Sequence, residues 1–171
     1  MLRPTADRMR EALFAILAHR VAGGRVLDLY AGAGTLGLEA LSRGAEKAVF
    51  VESHLAAARV IAENAATCGF TDRTRVMVMP AARAVRRLER ESERFDLVFV
   101  DPPYGTGEAL ARLQDLAARP SLLRAGGLVI YQHARREGLP AEVKRLARIR
   151  QADFGETVID FYQSTEAVCP Q

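Results

Sequence analysis

Two short stretches of this chain carry residue types that can do chemistry together. The first is Asp101-Pro102-Pro103-Tyr104, which follows the apolar run Phe95-Asp96-Leu97-Val98-Phe99-Val100. Consecutive prolines hold φ near about −65° and remove two backbone donors, so an extended run must stop there and its last carbonyls are left to accept hydrogen bonds. A carboxylate, a free carbonyl and an aromatic ring on so rigid a support suit the grip of a planar base by its amino group. The second stretch is Asp28-Leu29-Tyr30-Ala31-Gly32-Ala33-Gly34-Thr35-Leu36-Gly37. Here a strand end runs through glycines into a helix start, where the backbone can approach a ligand closely and the first helical N–H groups are unpaired.

Gly32-x-Gly34-x-x-Gly37 formally matches the dinucleotide fingerprint, so a nicotinamide cofactor has to be weighed. Two acids point elsewhere. Asp28, just before the glycines, suits the ammonium of a methionine moiety and is an awkward neighbour for a pyrophosphate. Glu52, closing the next strand, can accept both hydroxyls of an adenosine ribose, a role common to NAD and S-adenosylmethionine. The plain alternatives are a turn-stabilising acid for Asp28 and a helix N-cap for Glu52. The third strand runs into Met79-Pro80-Ala81-Ala82 and supplies no acid for an adenine amino group, which leaves backbone groups near Ala81 and Ala82 for that contact. With Tyr30, Thr35 and Ser53 beside them, Asp28, Gly32, Gly34, Glu52, Ala81, Ala82 and Asp101 form the candidate cofactor set; Asp101, Pro102, Pro103 and Tyr104 form the candidate catalytic set.

The elements that must position these groups alternate. Strands are expected at Arg25 to Tyr30, Ala48 to Val51, Arg75 to Met79, Phe95 to Val100 and Gly127 to Gln132. Helices are expected from Ala6 to His19 with Thr5 as cap, from Leu38 to Arg43, from His54 to Cys68 with Leu55, Ala58, Ile61 and Ala62 inward, from Ala81 to Arg90, from Gly107 to Ala118 and from Pro140 to Leu146. Arg148 to Phe154 and Thr157 to Gln163 read as an antiparallel hairpin around Gly155-Glu156. Such alternation implies an α/β fold with a mostly parallel sheet covered on both faces. In such a sheet ligands sit beyond the carboxyl ends of the strands, where the strand order reverses. Strands one and four flank that point, which brings the glycine turn to Asp101 across 64 residues of sequence (Gly37 to Asp101).

Together the two stretches describe methylation of an exocyclic amine. A purine amino nitrogen is a poor nucleophile because its lone pair is delocalised into the ring. Acceptance of both its hydrogens by the Asp101 carboxylate and the Pro102 carbonyl favours a pyramidal nitrogen whose lone pair faces a sulfonium methyl. Positioning and charge complementarity are the main contributions, since the nitrogen becomes positive as it is methylated. Asp101 or water takes the departing proton, and Tyr104 stacks on a base that has left its own stack. The bland reading is a proline-terminated strand in which Asp101 only bonds its turn and Tyr104 caps the core.

Length and composition are consistent with this. At 171 residues, 49% hydrophobic and 26% charged, the chain suits one ordinary globular domain. It has no apolar run of the roughly 18 residues a span needs and no secretory layout at its start, so a cytoplasmic protein is expected. Cys68 and Cys169 lie far apart, without partners at ligand spacing, and no metal is expected. A net charge of +3 is compatible with a nucleic-acid partner and does not require one. His19, His54 and His133 read as surface or element-end residues. Arg83, Arg86, Arg87 and Arg90 share one helix face, a pattern more often solvated than bound; Arg135, Arg136, Lys144, Arg145, Arg148 and Arg150 are equally ambiguous.

Asp101-Pro102-Pro103-Tyr104 resembles the (D/N)PP(Y/F) motif of amino-group methyltransferases acting on bases, and Val26 to Ala40 resembles their cofactor motif. The opening Arg3-Pro4-Thr5-Ala6-Asp7-Arg8-Met9-Arg10-Glu11-Ala12-Leu13-Phe14, with Leu38-Glu39-Ala40-Leu41-Ser42-Arg43-Gly44-Ala45, resembles the RsmD group of bacterial methyltransferases acting on guanine N2 of 16S ribosomal RNA. The resemblance runs from Arg3 to about Gln163. It implies a Rossmann-like class I fold with a seven-stranded sheet, S-adenosyl-L-methionine as cofactor, and 16S ribosomal RNA or a small-subunit assembly intermediate as partner. It also implies a single methyltransferase domain over 1–171 acting as a monomer without a membrane, with Arg3, Thr5 and Arg8 near the mouth of the site as RNA contacts. The family's short basic hairpin ahead of the Arg-Pro-Thr segment is expected to be absent, since only Met1 and Leu2 stand there. An adenine-N6 methyltransferase on DNA or RNA, a nicotinamide-dependent oxidoreductase and a non-catalytic RNA-binding module remain as alternatives.

Overall fold

The structure, a computed structural model, describes residues 4–103 and 109–165. Its centre is an eight-stranded sheet in the order β3-β2-β1-β4-β5-β8-β7-β6. The strands are β1 Arg25–Leu29, β2 Lys47–Glu52, β3 Thr74–Val78, β4 Phe95–Val100, β5 Leu123–Ala134, β6 Glu142–Val143, β7 Leu146–Phe154 and β8 Thr157–Ser164. The first five pair in parallel and the last three antiparallel. Parallel strands need covered faces, and β1 and β4 accordingly read as near-continuous apolar runs.

Two clusters of buried side chains lie on the two sides of the sheet. Helices α4 (Ala81–Arg90) and α5 (Ala109–Ala117) pack with Leu27, Leu29, Val98 and Val100 in one. Helices α1 (Pro4–Leu17), α2 (Thr35–Ser42) and α3 (Leu55–Thr67) pack with Val26, Phe50, Leu97 and Phe99 in the other. The split follows from the period-2 alternation of β1 and β4, which sends neighbouring residues to opposite faces. Phe14 of α1 meets Phe99 of β4 at a ring separation of 5.8 Å, and Arg20, beyond the end of α1, donates to the Gly126 carbonyl near the start of β5. At about 1.5 Å per residue the 14-residue α1 spans about 21 Å. Its N-terminal turn therefore reaches the carboxyl end of the sheet.

Several expected boundaries move. Helix α1 starts at Pro4, whose fixed φ and missing donor suit a first helical position, so Thr5 lies in the first turn instead of capping it. Helix α2 starts at Thr35, directly after Gly34, three residues earlier than expected. On α3 the buried face is Ala58, Ile61 and Ala65, while Leu55 is 54% exposed and Ala62 is also exposed. Leu55 is the first residue of the helix. The expected helix from Pro140 to Leu146 is instead strand β6, a turn and the start of β7, which makes eight strands where seven were expected. Leu139, Val143 and Leu146 do recur at helix-like spacing and all three are buried. A left-handed Lys144 (φ 51°) closes a two-residue hairpin loop there, and so few residues are far short of what an isolated helix needs. The terminal hairpin forms as expected, with β8 inserted between β5 and β7.

Candidate active site

The site gathers at the carboxyl ends of β1, β2 and β4. Leu29 pairs with Val100 in the β1/β4 register, so Tyr30 and Asp101 leave the sheet side by side. Gly34 takes φ 83° at the N-cap of α2, a left-handed conformation that costs an L side chain roughly 1 kcal/mol or more. Gly37 faces a different demand: a Cβ there would lie 2.3 Å from the Phe50 ring, so only glycine lets α2 sit this close to β2. The Oδ2 of Asp28 accepts the Gly37 N–H at 2.9 Å. It thereby caps α2 from within β1, at the positive end of the helix.

Asp28 and Glu52 therefore both have structural duties. Glu52 is 9% exposed. One of its oxygens accepts the Gly32 N–H at 2.9 Å and the other the His54 N–H at 2.9 Å, tying the glycine turn to the start of α3. Burial opposes ionisation of Glu52, but these amides and the adjacent His54 ring outweigh it and hold the carboxyl below its usual range. Asp28, 2% exposed, goes the other way. Burial is the main cause, with repulsion from Asp101 and Glu52 added, and its pKa is pushed up to about 7 despite the Gly37 amide. Asp101 is half-buried, and loss of water pushes its pKa up to about 6. No hydrogen-bond donor or cation among the described residues reaches the Asp101 carboxylate, and the stretch just beyond it, residues 104–108, lies outside the described residues. Pro102 is buried and Pro103 exposed.

Three acids thus converge on one turn with a net shortage of positive charge. Among the described residues no group of His, Cys, Asp and Glu is arranged to hold a metal ion. A ligand bearing its own cationic groups fits such a donor set, since it relieves the burial of Asp28 and the repulsion among the acids.

Tyr30 shows a feature that local sequence does not reveal. It takes φ 65°, uncommon for a bulky residue, and its hydroxyl accepts a 2.6 Å hydrogen bond from Arg112 Nη1. The Arg112 guanidinium also lies 5.2 Å from the centre of the Tyr30 ring. A charge-assisted bond of roughly 1.5–3 kcal/mol offsets a left-handed backbone cost of about 1–2 kcal/mol. Beside Tyr30 a cavity of about 270 Å³ runs between α4 and α5. It is lined by apolar Leu29, Val85, Val100 and Leu116, by Ala81 and Ala82, and by Arg86, Arg112 and Asp115.

The structure therefore brings Asp28, Tyr30, Gly32, Gly34, Thr35, Glu52, Ser53, Ala81, Ala82 and Asp101 to one end of the sheet. Ser53 is exposed beside Glu52. Arg8 is exposed on the first turns of α1, at the same end. Arg3 and Tyr104 lie outside the described residues. Reading the sequence missed Arg112, and Asn64, which donates to the Ala33 carbonyl at 3.2 Å. It also missed the buried pair His133 and Asp160, whose Nε2 and Oδ2 lie 3.1 Å apart, with Arg148 and Gln151 donating to the same carboxylate. No motif marks these contacts. Arg148, ambiguous by sequence, is thereby a structural residue.

Known proteins place the chain further. It is 33% identical over 162 residues to ribosomal RNA small subunit methyltransferase D of Escherichia coli K12, covering 95% of this chain and 79% of that one. A solved conserved hypothetical protein of Streptococcus pyogenes superposes with a TM-score of 0.80 at 36% identity, covering 90% of this chain and 93% of that one. At 12% identity the fold alone is shared with SMU.776, solved in complex with SAH (TM-score 0.74, covering 94% of this chain and 50% of that one). The model of the family described as conserved hypothetical protein 95 matches residues 1–163, and with these relatives it places the chain in that family, the RsmD type of methyltransferase.

Proposed function

We propose that this chain is an S-adenosylmethionine-dependent ribosomal RNA methyltransferase, one domain over residues 1–171, that methylates the exocyclic N2 of a flipped guanine in small-subunit 16S RNA. The family supports ribosomal RNA as substrate, since its Escherichia coli member carries the name ribosomal RNA small subunit methyltransferase D. The observation that carries the chemistry is the Asp101 carboxylate, half-buried, without a partner among the described residues, and beside an acid-lined glycine turn.

S-adenosylmethionine, when bound, supplies a sulfonium methyl and leaves as a neutral thioether. Asp28 holds the ammonium of the methionine moiety, Glu52 accepts from the ribose hydroxyls with the lone pairs its two backbone amides leave, and the turn from Gly32 to Thr35 lies against the rest. Ala81, Ala82 and the adjoining cavity receive the adenine, with Tyr30 as one wall. Asp101 and the Pro102 carbonyl accept the two amino hydrogens of guanine and aim the nitrogen lone pair at the methyl. With the cofactor supplying the methyl group, Asp101 would meet the positive charge that grows on the amino nitrogen. Asp101, with its pKa near 6, is ionised at neutral pH yet more basic than an ordinary aspartate, which suits it to take the proton. Tyr104 stacks on the flipped base, and Arg3, Thr5 and Arg8 contact flanking phosphate.

The test uses labelled cofactor with small-subunit RNA or particles, followed by digestion to nucleosides. Label in N2-methylguanosine is expected. Label in methyladenosine instead would overturn the guanine assignment and keep amine methylation; binding of NADH in place of S-adenosylhomocysteine would overturn both.

A further inference from the structure

Helix α4 divides cleanly. Ala81, Ala84, Val85 and Leu88 are buried, while Arg83, Arg86, Arg87 and Arg90 are all exposed on the opposite side. At about 100° per residue the four arginines fall within an arc of about 100°. Exposed helix faces usually intersperse acids that neutralise such a row. On α4 the one acid is Glu89, and it turns away to Arg119 and Ser121. Elsewhere Arg43 is engaged with Glu39, Arg124 with Asp96 and Arg135 with Asp153, while the exposed arginines that lack an acceptor among the described residues, such as Arg59, Arg94 and Arg150, stand on separate segments and form no row. In this row only Arg87 has an acceptor, Glu91 at 2.8 Å, which also serves Arg75. Arg83, Arg86 and Arg90 have none among the described residues.

The surface is shaped as well as charged. Arg83, Arg87 and Arg90 border a hollow of about 460 Å³ with Met79 and Glu91. The row also begins at the site, because Ala81 and Ala82 of the same helix line the cavity beside Tyr30, and Arg86 lines it too. From Arg83 to Arg90 it runs about 10 Å away from that rim at about 1.5 Å per residue.

We propose that this arginine row is a phosphate-docking strip for the RNA that flanks the target nucleotide. The inference rests on the reading of the chain as an RNA methyltransferase and adds a second contact region, since α1 with Arg8 packs on the other face of the sheet. Guanidinium groups match phosphate oxygens in a two-pronged geometry that a merely solvated face does not require. A protein partner fits poorly, because the hollow offers Met79 and no aromatic or aliphatic cluster to anchor one.

The experiment compares the full chain with a triple variant, Arg83→Gln, Arg87→Gln and Arg90→Gln, and with a control, Arg59→Gln and Arg150→Gln, which removes two other exposed arginines that have no acceptor among the described residues. Binding of a small-subunit RNA transcript is followed across salt concentration, and methyl transfer across RNA concentration. The triple variant is expected to reduce the slope of log K against log salt by about 2, at roughly 0.7 per lost phosphate contact. KM for RNA should rise at least tenfold with kcat and S-adenosylhomocysteine affinity kept, and the control should lose little. An unchanged slope and KM in the triple variant, or an equal loss in the control, overturns the strip while wild-type methyl transfer stands. A reduced slope with no methyl transfer by the wild type supports the strip and overturns the activity instead.

Discussion

Replacing Asp28 by asparagine should stabilise this protein at neutral pH, although Asp28 caps a helix and belongs to the proposed cofactor set. The carboxyl is buried, and its pKa rises from 3.8 in the unfolded reference to about 7 in the fold. At about 1.36 kcal/mol per pH unit, that difference amounts to roughly 4 kcal/mol of unfavourable charge burial above pH 7. Between pH 4 and 7 the folded chain still holds the Asp28 proton while the unfolded chain has released it, so stability falls as pH rises through that window. Asparagine keeps an oxygen for the Gly37 N–H at 2.9 Å and carries no charge to bury. Its amide donors need acceptors, and an unmet one takes back about 1–3 kcal/mol. The net gain expected at pH 8 is about 1–3 kcal/mol, a Tm increase of roughly 2–10 °C for a chain of this size. Thermal unfolding of both proteins from pH 4 to 8 measures it: the variant's advantage should grow across the window and level off above about pH 7. A difference independent of pH, or a variant less stable throughout, would refute the buried-charge reasoning. Calorimetry with S-adenosylhomocysteine should show the converse, a loss of at least about tenfold in affinity, because the acid costs stability where the ligand's ammonium repays it.

Asp101→Ala should reduce methyl transfer by at least about a hundredfold with no loss of Tm, since the carboxylate it removes is itself ionised against burial, and the wild-type rate should climb with pH as Asp101 ionises through about 6; a flat rate profile between pH 5 and 7 would speak against Asp101 as the acceptor. Gly37→Ala places a methyl group 2.3 Å from the Phe50 ring and should lower stability by about 1–3 kcal/mol, read as a shifted urea midpoint with an unchanged m-value. Arg112→Met removes the partner that offsets the left-handed Tyr30 backbone, so S-adenosylhomocysteine binding should weaken more than global stability does, with Arg112→Lys recovering only part of it. Burial opposes protonation of His133, but its bonds to Asp160 and the Ala134 carbonyl prevail and raise its pKa. The stabilisation is therefore complete below the unfolded histidine value and is lost as pH rises through the folded one, and the stability gap between wild type and His133→Asn should narrow over that interval.

Much of the fold and of the site was readable from the chain because the signals are local. Glycines between Asp28 and Gly37 demand a strand-to-helix turn, two prolines after Asp101 must end a strand, and alternation of apolar strands with amphipathic helices prescribes a parallel sheet whose carboxyl ends bring the two stretches together. The short helix expected from Pro140 to Leu146 failed for the same reason that the rest succeeded: seven residues carry too little local preference, and burial of Leu139, Val143 and Leu146 decided their conformation. Other features exist only once the chain is folded. The pKa of Asp28 depends on burial and on acids 24 and 73 positions away, Glu52 and Asp101. The Tyr30 backbone depends on Arg112, 82 residues on. His133 became a buried ion-pair partner because β8 inserted beside β5 and placed Asp160 next to it. By itself the sequence determined which groups could do the chemistry. Their charge state, their mutual support and the arginine row standing beside them were decided by tertiary structure, because desolvation and through-space electrostatics depend on neighbours that no linear spacing records.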